Sequence, residues 1–133
     1  TQYTKNQGLA NSYAQEGIAV VRQIRDSGWN DFKNLQDFLL TNTIYCLGPN
    51  PMGLILLTLP NQNCWTQSPV PAGGIFSREV KFEHNSADCS GGSKTTVKVS
   101  WADSKCSAGV CNPLCHKVEL ITCFSSIDLK PTP

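Results

Sequence analysis

The chain has 133 residues, a formal net charge of +1 and a charged fraction of 16%, and a length of this order fits one domain able to bury its own core. So weak and balanced a charge supplies no overall field towards nucleic acid or an anionic membrane, and binding of that kind would need a local patch. No stretch approaches the roughly 20 apolar residues of a membrane-spanning helix, because the longest apolar run, Met52 to Leu59, is interrupted by Gly53 and Thr58; nor is there a charged start followed by an apolar segment and a small-residue cleavage site.

In chain order, the first predicted element is an amphipathic helix within 1–28. Leu9, Ala10, Tyr13, Ala14, Gly17, Val20, Val21 and Ile24 recur at three-to-four spacing, which gathers them on one stripe. Leu9, Tyr13, Val20, Val21 and Ile24 form the expected packing face. The other side carries Asn11, Gln15, Glu16, Arg22, Gln23 and Asp26, and Ser27-Gly28 supplies the stop. Gly17 in mid-helix costs about 1 kcal/mol against Ala, which points to a close neighbour or a bend. Arg22 and Arg25 read as solvated charges or as partners of Asp26.

Residues 29–74 read as a loop-rich connector. Asn30 is placed to cap a short helix through Asp31, Phe32, Lys33 and Leu35 towards Phe38. Beyond it, Gly48-Pro49-Asn50-Pro51, Pro60-Asn61 and Pro69-Val70-Pro71 punctuate short apolar runs, leaving Thr43 to Leu47 and Leu54 to Leu59 as candidate strands. Trp65 lies beside Cys64 in polar loop sequence and is a candidate recognition residue, whereas Trp29 and Trp101 read as packing residues.

Residues 75–126 change period. Phe76, Val80 and Phe82 alternate with Ser77, Glu79, Lys81 and Glu83; Thr95, Val97, Val99 and Trp101 alternate with Thr96, Lys98 and Ser100; and His116 to Phe124 puts Val118, Leu120 and Phe124 on one side. Period two of this kind predicts three half-buried strands. The Gly-Gly turn region Asp88 to Ser93 joins the first two, and the cysteine-rich segment Asp103 to Cys115 joins the last two. The expected fold is α+β, a helix stripe covering the apolar face of an antiparallel meander, followed by a tail over 127–133.

Seven cysteines scattered through loop-like sequence favour disulfides and an oxidising compartment, and the odd count leaves one thiol unpaired or paired with another chain. A strand from Lys94 to Trp101 spans roughly 25 Å, so Cys89 and Cys106 fall at opposite ends of the sheet. The antiparallel return brings Cys123 to the end where Cys89 sits, and Cys89–Cys123 is the preferred bridge. Cys106, Cys111 and Cys115 gather at the other end, with Cys64 approaching it; Cys46 and Cys64 can instead bridge each other across the connector. The metal alternative is Cys106, Cys111, Cys115 and His116. It lacks paired C-x(2–4)-C knuckles, so no metal and no cofactor is expected.

Catalytic chemistry has no recognisable carrier in the sequence. Only His84 and His116 are present, and neither sits in a nucleophile or metal motif. As strand neighbours, Cys115 and His116 are expected to point to opposite faces and not to meet. Glu79 and Glu83 fall on a polar strand face, and Gly91-Gly92 lacks the helix and lysine of a phosphate loop.

The stretch Leu9-Ala10-Asn11-Ser12-Tyr13-Ala14-Gln15-Glu16-Gly17-Ile18, continued by Val21-Arg22-Gln23-Ile24-Arg25-Asp26-Ser27-Gly28-Trp29, resembles the helix of minor type IV pilins and related prepilins. Phe76-Ser77-Arg78-Glu79-Val80, Val97-Lys98-Val99-Ser100-Trp101 and Lys117-Val118-Glu119-Leu120 are similar to the sheet of those proteins; the middle, about Phe38 to Gly74, has no such likeness. The resemblance implies a ladle-shaped subunit whose helix has an apolar first half, inserted in the membrane before assembly and in the filament core afterwards. No such half lies ahead of Thr1 here, so the expectation is an N-terminally truncated ectodomain.

The expected function is therefore that of a minor pilin or pseudopilin, a structural subunit of a bacterial surface filament that serves adhesion, motility, secretion or DNA uptake. Its expected partners are other pilin subunits and a surface ligand. The competing expectations are a secreted disulfide-rich module that binds sugar, DNA or a host protein through the 103–116 loop, and, behind it, an extracellular hydrolase.

Overall fold

The amphipathic stripe of the N-terminal segment folds as α1, Gln2–Ser27, in the computed structural model, which describes residues 2–48, 55–56, 64, 69–71, 74–103, 106 and 114–125. Asn6, Ala10, Ala14, Ile18, Val21 and Arg25 are buried along one line of the helix, the four-then-three spacing that keeps side chains above one another. Val20 is buried as well, and Tyr13 and Ile24 pack partly buried at the flanks. Leu9 corrects the expected packing face: it is 38% exposed, because the line through Asn6, Ala10 and Ala14 leaves it about 100° round the helix from Ala10.

Gly28 receives the chain from α1, its N–H donating to Arg25 O at 3.2 Å. The next helix, α2, spans Trp29–Lys33, with Gly28 at its N-cap and no side-chain cap bond. Asn30 therefore sits inside the helix and does not cap it. The expected run towards Phe38 is also broken: α3, Phe38–Thr41, is a separate turn capped by Asp37, whose side chain accepts from Leu39 N at 2.7 Å. Phe32 is the point of α2. It is fully buried and meets Phe82 and Phe124 edge-on, each at 5.6 Å between ring centroids.

Among the described residues, five antiparallel strands follow: β1 Tyr45–Cys46, β2 Ile55–Leu56, β3 Ser77–Glu83, β4 Ser93–Trp101 and β5 His116–Phe124. They lie in the order β2-β1-β3-β4-β5, so the meander β3-β4-β5 carries two short added strands from the connector. The register places Val80 opposite Val97 and Val97 opposite Leu120. Period two then stacks Val80, Phe82, Val97, Val99 and Trp101 under α1, all buried. Lys98 and Glu79, cross-strand neighbours on the other face, pair at 3.4 Å. Of the candidate strand Leu54 to Leu59, only Ile55 and Leu56 are among the described residues; of Thr43 to Leu47, Tyr45 and Cys46 form β1.

Two contacts set how closely α1 sits on this sheet. At Gly17 an added Cβ would lie 2.9 Å from Val97 Cγ1 and 3.5 Å from Arg78 Cδ. Only a residue without a side chain lets helix and strand approach this far, which is the close neighbour expected of a mid-helix glycine. The second contact is Arg78, in phase with Phe76, Val80 and Phe82 and wholly buried. Its Nε donates to Leu47 O at 2.9 Å and one terminal nitrogen to Gly48 O at 2.6 Å. The other terminal nitrogen donates to Tyr13 O at 2.9 Å and pairs with Glu16 Oε1 at 2.6 Å. One planar guanidinium thus ties β3 to α1 and to the connector, a use of its fixed fork that a lysine does not reproduce.

Candidate functional site

The covalent framework follows the sheet ends. Cys89 in the β3–β4 turn is joined to Cys123 near the end of β5, and Cys46 of β1 is joined to Cys64 of the connector. At the opposite end of the sheet, Cys106 is joined to Cys115 just ahead of β5. Cys64 therefore turns to its own connector and not to the Cys106 end. Cys111 and Trp65 lie outside the described residues.

A cleft of about 460 Å³ opens beside α3, lined by Lys33, Leu35, Asp37, Leu39, Leu40, His84 and Asn85. Its polar groups serve the fold. His84 Nε2 lies 2.9 Å from Leu35 O, which can only accept, so that nitrogen donates there, and Nδ1 is hydrogen-bonded with Ser93 Oγ at 2.5 Å. The ring stacks on Phe82, 8° from parallel. Asp37 takes His84 N on one oxygen, at 2.7 Å, and Leu39 N on the other. His84 is thus a half-buried clamp between the connector and β4. Its walls include Leu39 and Leu40, 66% and 84% exposed, so the cleft offers apolar contact and not an acid–base pair.

The cysteine-rich end gathers a different set. Asp103 follows β4, His116 opens β5, and His116 Nε2 lies 3.0 Å from Asp103 Oδ1. The His116 ring is flanked by Trp101, 5.3 Å between centroids, and by Tyr3 of α1 at 4.9 Å. The Cys106–Cys115 bridge closes the other side: one donor atom from each of Asp103, Cys106, Cys115 and His116 lies within 4.8 Å of all the others. This corrects the expectation that Cys115 and His116 cannot meet. Alternation separates neighbours only within a strand, and Cys115 precedes β5.

Of the expected metal-ligand alternative, Cys106, Cys115 and His116 are together, Cys111 lies outside the described residues, and Asp103 joins the group. Sequence spacing passed over Asp103, which approaches the other three only because β4 and β5 pair as far as Trp101 and His116. In the bridged form the two sulfurs are bonded to each other and are not thiolate ligands. No family model, curated protein or solved structure matches the chain.

Proposed function

We propose that this chain is the globular part of a type IV pilin-like filament subunit, a minor pilin or pseudopilin that acts through protein–protein contacts. The observation that supports this reading is the placement of α1. From Asn6 to Arg25 it turns one buried line, small and apolar at Ala10, Ala14, Ile18 and Val21, onto an antiparallel sheet and leaves Asn11, Gln15, Arg22, Gln23 and Asp26 exposed on the other side. A helix seated on the sheet from Asn6 to Arg25, with its opposite, polar face open to solvent, suits a subunit that offers that face to neighbours. Three disulfides fit an oxidising environment outside the cytosol. No helix among the described residues is long and apolar enough to cross a membrane.

The proposed partners are other subunits of the same filament, with placement at the cell surface and, before assembly, anchoring through an apolar first half of the helix. The test is the native coding sequence ahead of Thr1, together with a deletion strain. A prepilin-type leader and an apolar segment in phase with α1, with filaments lost on deletion and restored by the gene, are the expected results. A secretory cleavage site directly before Thr1, or unaltered filament-dependent behaviour in the deletion strain, ends the reading. Removing residues 104–113 separates the competing binding-module reading: loss of surface binding with filaments intact would place the activity in that loop.

A further inference from the structure

We infer that Asp103, Cys106, Cys115 and His116 form a redox-gated site for a zinc-class divalent cation, closed while the Cys106–Cys115 bridge stands and assembled when it is reduced. Two thiolates, one imidazole and one carboxylate are a donor set that zinc takes in four-coordinate form. Bond lengths of about 2.0–2.3 Å put tetrahedral ligand atoms roughly 3.3–3.8 Å apart. The four donors already lie within 4.8 Å of one another, so the approach needs side-chain adjustments and a separation of the two sulfurs, with β4 and β5 left in register.

Access sets Cys46–Cys64 aside, since both cysteines are fully buried and thiol exchange needs a reachable sulfur. Cys106–Cys115 and Cys89–Cys123 each have one exposed and one half-buried cysteine, and of these two only the first has a histidine and a carboxylate beside it among the described residues. The bridge also spans the shortest loop, a sequence separation of 9 against 18 and 34, and so constrains the unfolded chain least.

A dithiol supplies the two electrons and two protons of the reduction and leaves as its own disulfide. The divalent ion then displaces the two thiol protons to solvent, and His116 binds through Nε2 with its proton held on Nδ1. Bridge and ion are alternative fasteners of one loop, and the Trp101 and Tyr3 rings beside His116 shield the site on the α1 side.

The test uses the bridged full chain and its Cys111→Ser variant. Limiting dithiol under anaerobic conditions, with alkylation and peptide mapping of a sample, identifies the species in which only the Cys106–Cys115 bridge has opened. After desalting, Co²⁺ is titrated as a spectroscopic substitute for Zn²⁺. The expected result is one equivalent bound, with a thiolate-to-cobalt charge-transfer band and tetrahedral ligand-field bands, in both backgrounds and not in the bridged chain. Asp103→Asn and His116→Gln should each weaken binding by at least the roughly 10–100-fold that outer-shell partners contribute, with an unchanged far-ultraviolet circular dichroism spectrum, while Asp103→Glu keeps the bands. No saturable binding by the reduced chain, binding that depends on Cys111 and not on Asp103 and His116, or a bridge that opens only as the fold is lost overturns the inference.

Discussion

Replacing Arg78 by Met tests whether one buried guanidinium holds helix, sheet and connector together. Methionine fills similar volume, so the loss is mainly polar. Glu16 is half exposed, its side chain at 51%, and regains water when its partner goes; that ion pair is worth no more than about 1 kcal/mol. Tyr13 lies within α1, so its carbonyl keeps the helix ladder. Leu47 O and Gly48 O, which take bonds of 2.9 and 2.6 Å from Arg78, belong to buried residues and are left unpaired at about 1–3 kcal/mol each. The expected cost is therefore about 3–5 kcal/mol, a large share of the roughly 5–15 kcal/mol that holds a domain folded. Urea unfolding of the bridged protein, followed by tryptophan fluorescence, measures it. Glu16→Gln keeps an acceptor oxygen but removes the counter-charge of a buried cation, and should cost less than Arg78→Met in the same assay because the Leu47 and Gly48 carbonyls keep their donor. An Arg78→Met protein within about 1 kcal/mol of the parent, or a Glu16→Gln cost equal to that of Arg78→Met, would mean that the guanidinium's bonds to Leu47 and Gly48 do not hold the connector in place.

Gly17→Val should destabilise by about 2 kcal/mol or more through overpacking against Val97, and Val97→Ala in the same chain should recover part of the loss; equal midpoints for Gly17→Val and the parent would remove the close-approach account. Double replacement of Cys89 and Cys123 should cost roughly 4 kcal/mol and of Cys106 and Cys115 roughly 3 kcal/mol by the chain-entropy relation, read as melting-temperature shifts; the reverse order would contradict it. The hydrogen bond to Asp88, then the charges of Asp88 and Glu83, raise the Lys94 ammonium above its ordinary 10.5. A raised folded value means that this contribution is full below pH 10.5 and fades as the pH climbs through the folded value. Chemical-denaturation midpoints of the parent and Lys94→Met should accordingly converge at strongly alkaline pH; a gap that widens there would contradict the sign.

Hydrophobic period by itself determined the main elements of this protein: the long helix, the three long strands and the face each strand buries. The physical reason is that 3.6- and 2-residue periods are written in residue order and need no knowledge of neighbours. The bridge Cys89–Cys123 was legible for a related reason, since antiparallel return alone brings the start of β4 to the end of β5. Arg78 left a readable sign, its phase with Phe76, Val80 and Phe82, although its partners could not be read there: Leu47, Gly48 and Glu16 lie 31, 30 and 62 residues away. Tertiary structure alone decided that Leu9 leaves the packing face, that His84 is clamped at both nitrogens, and that Asp103 joins His116 and a cysteine bridge. Each of these depends on where a chain lands after a turn, and a one-residue change in register or a short non-strand segment such as the one at Cys115 reverses which side chains meet.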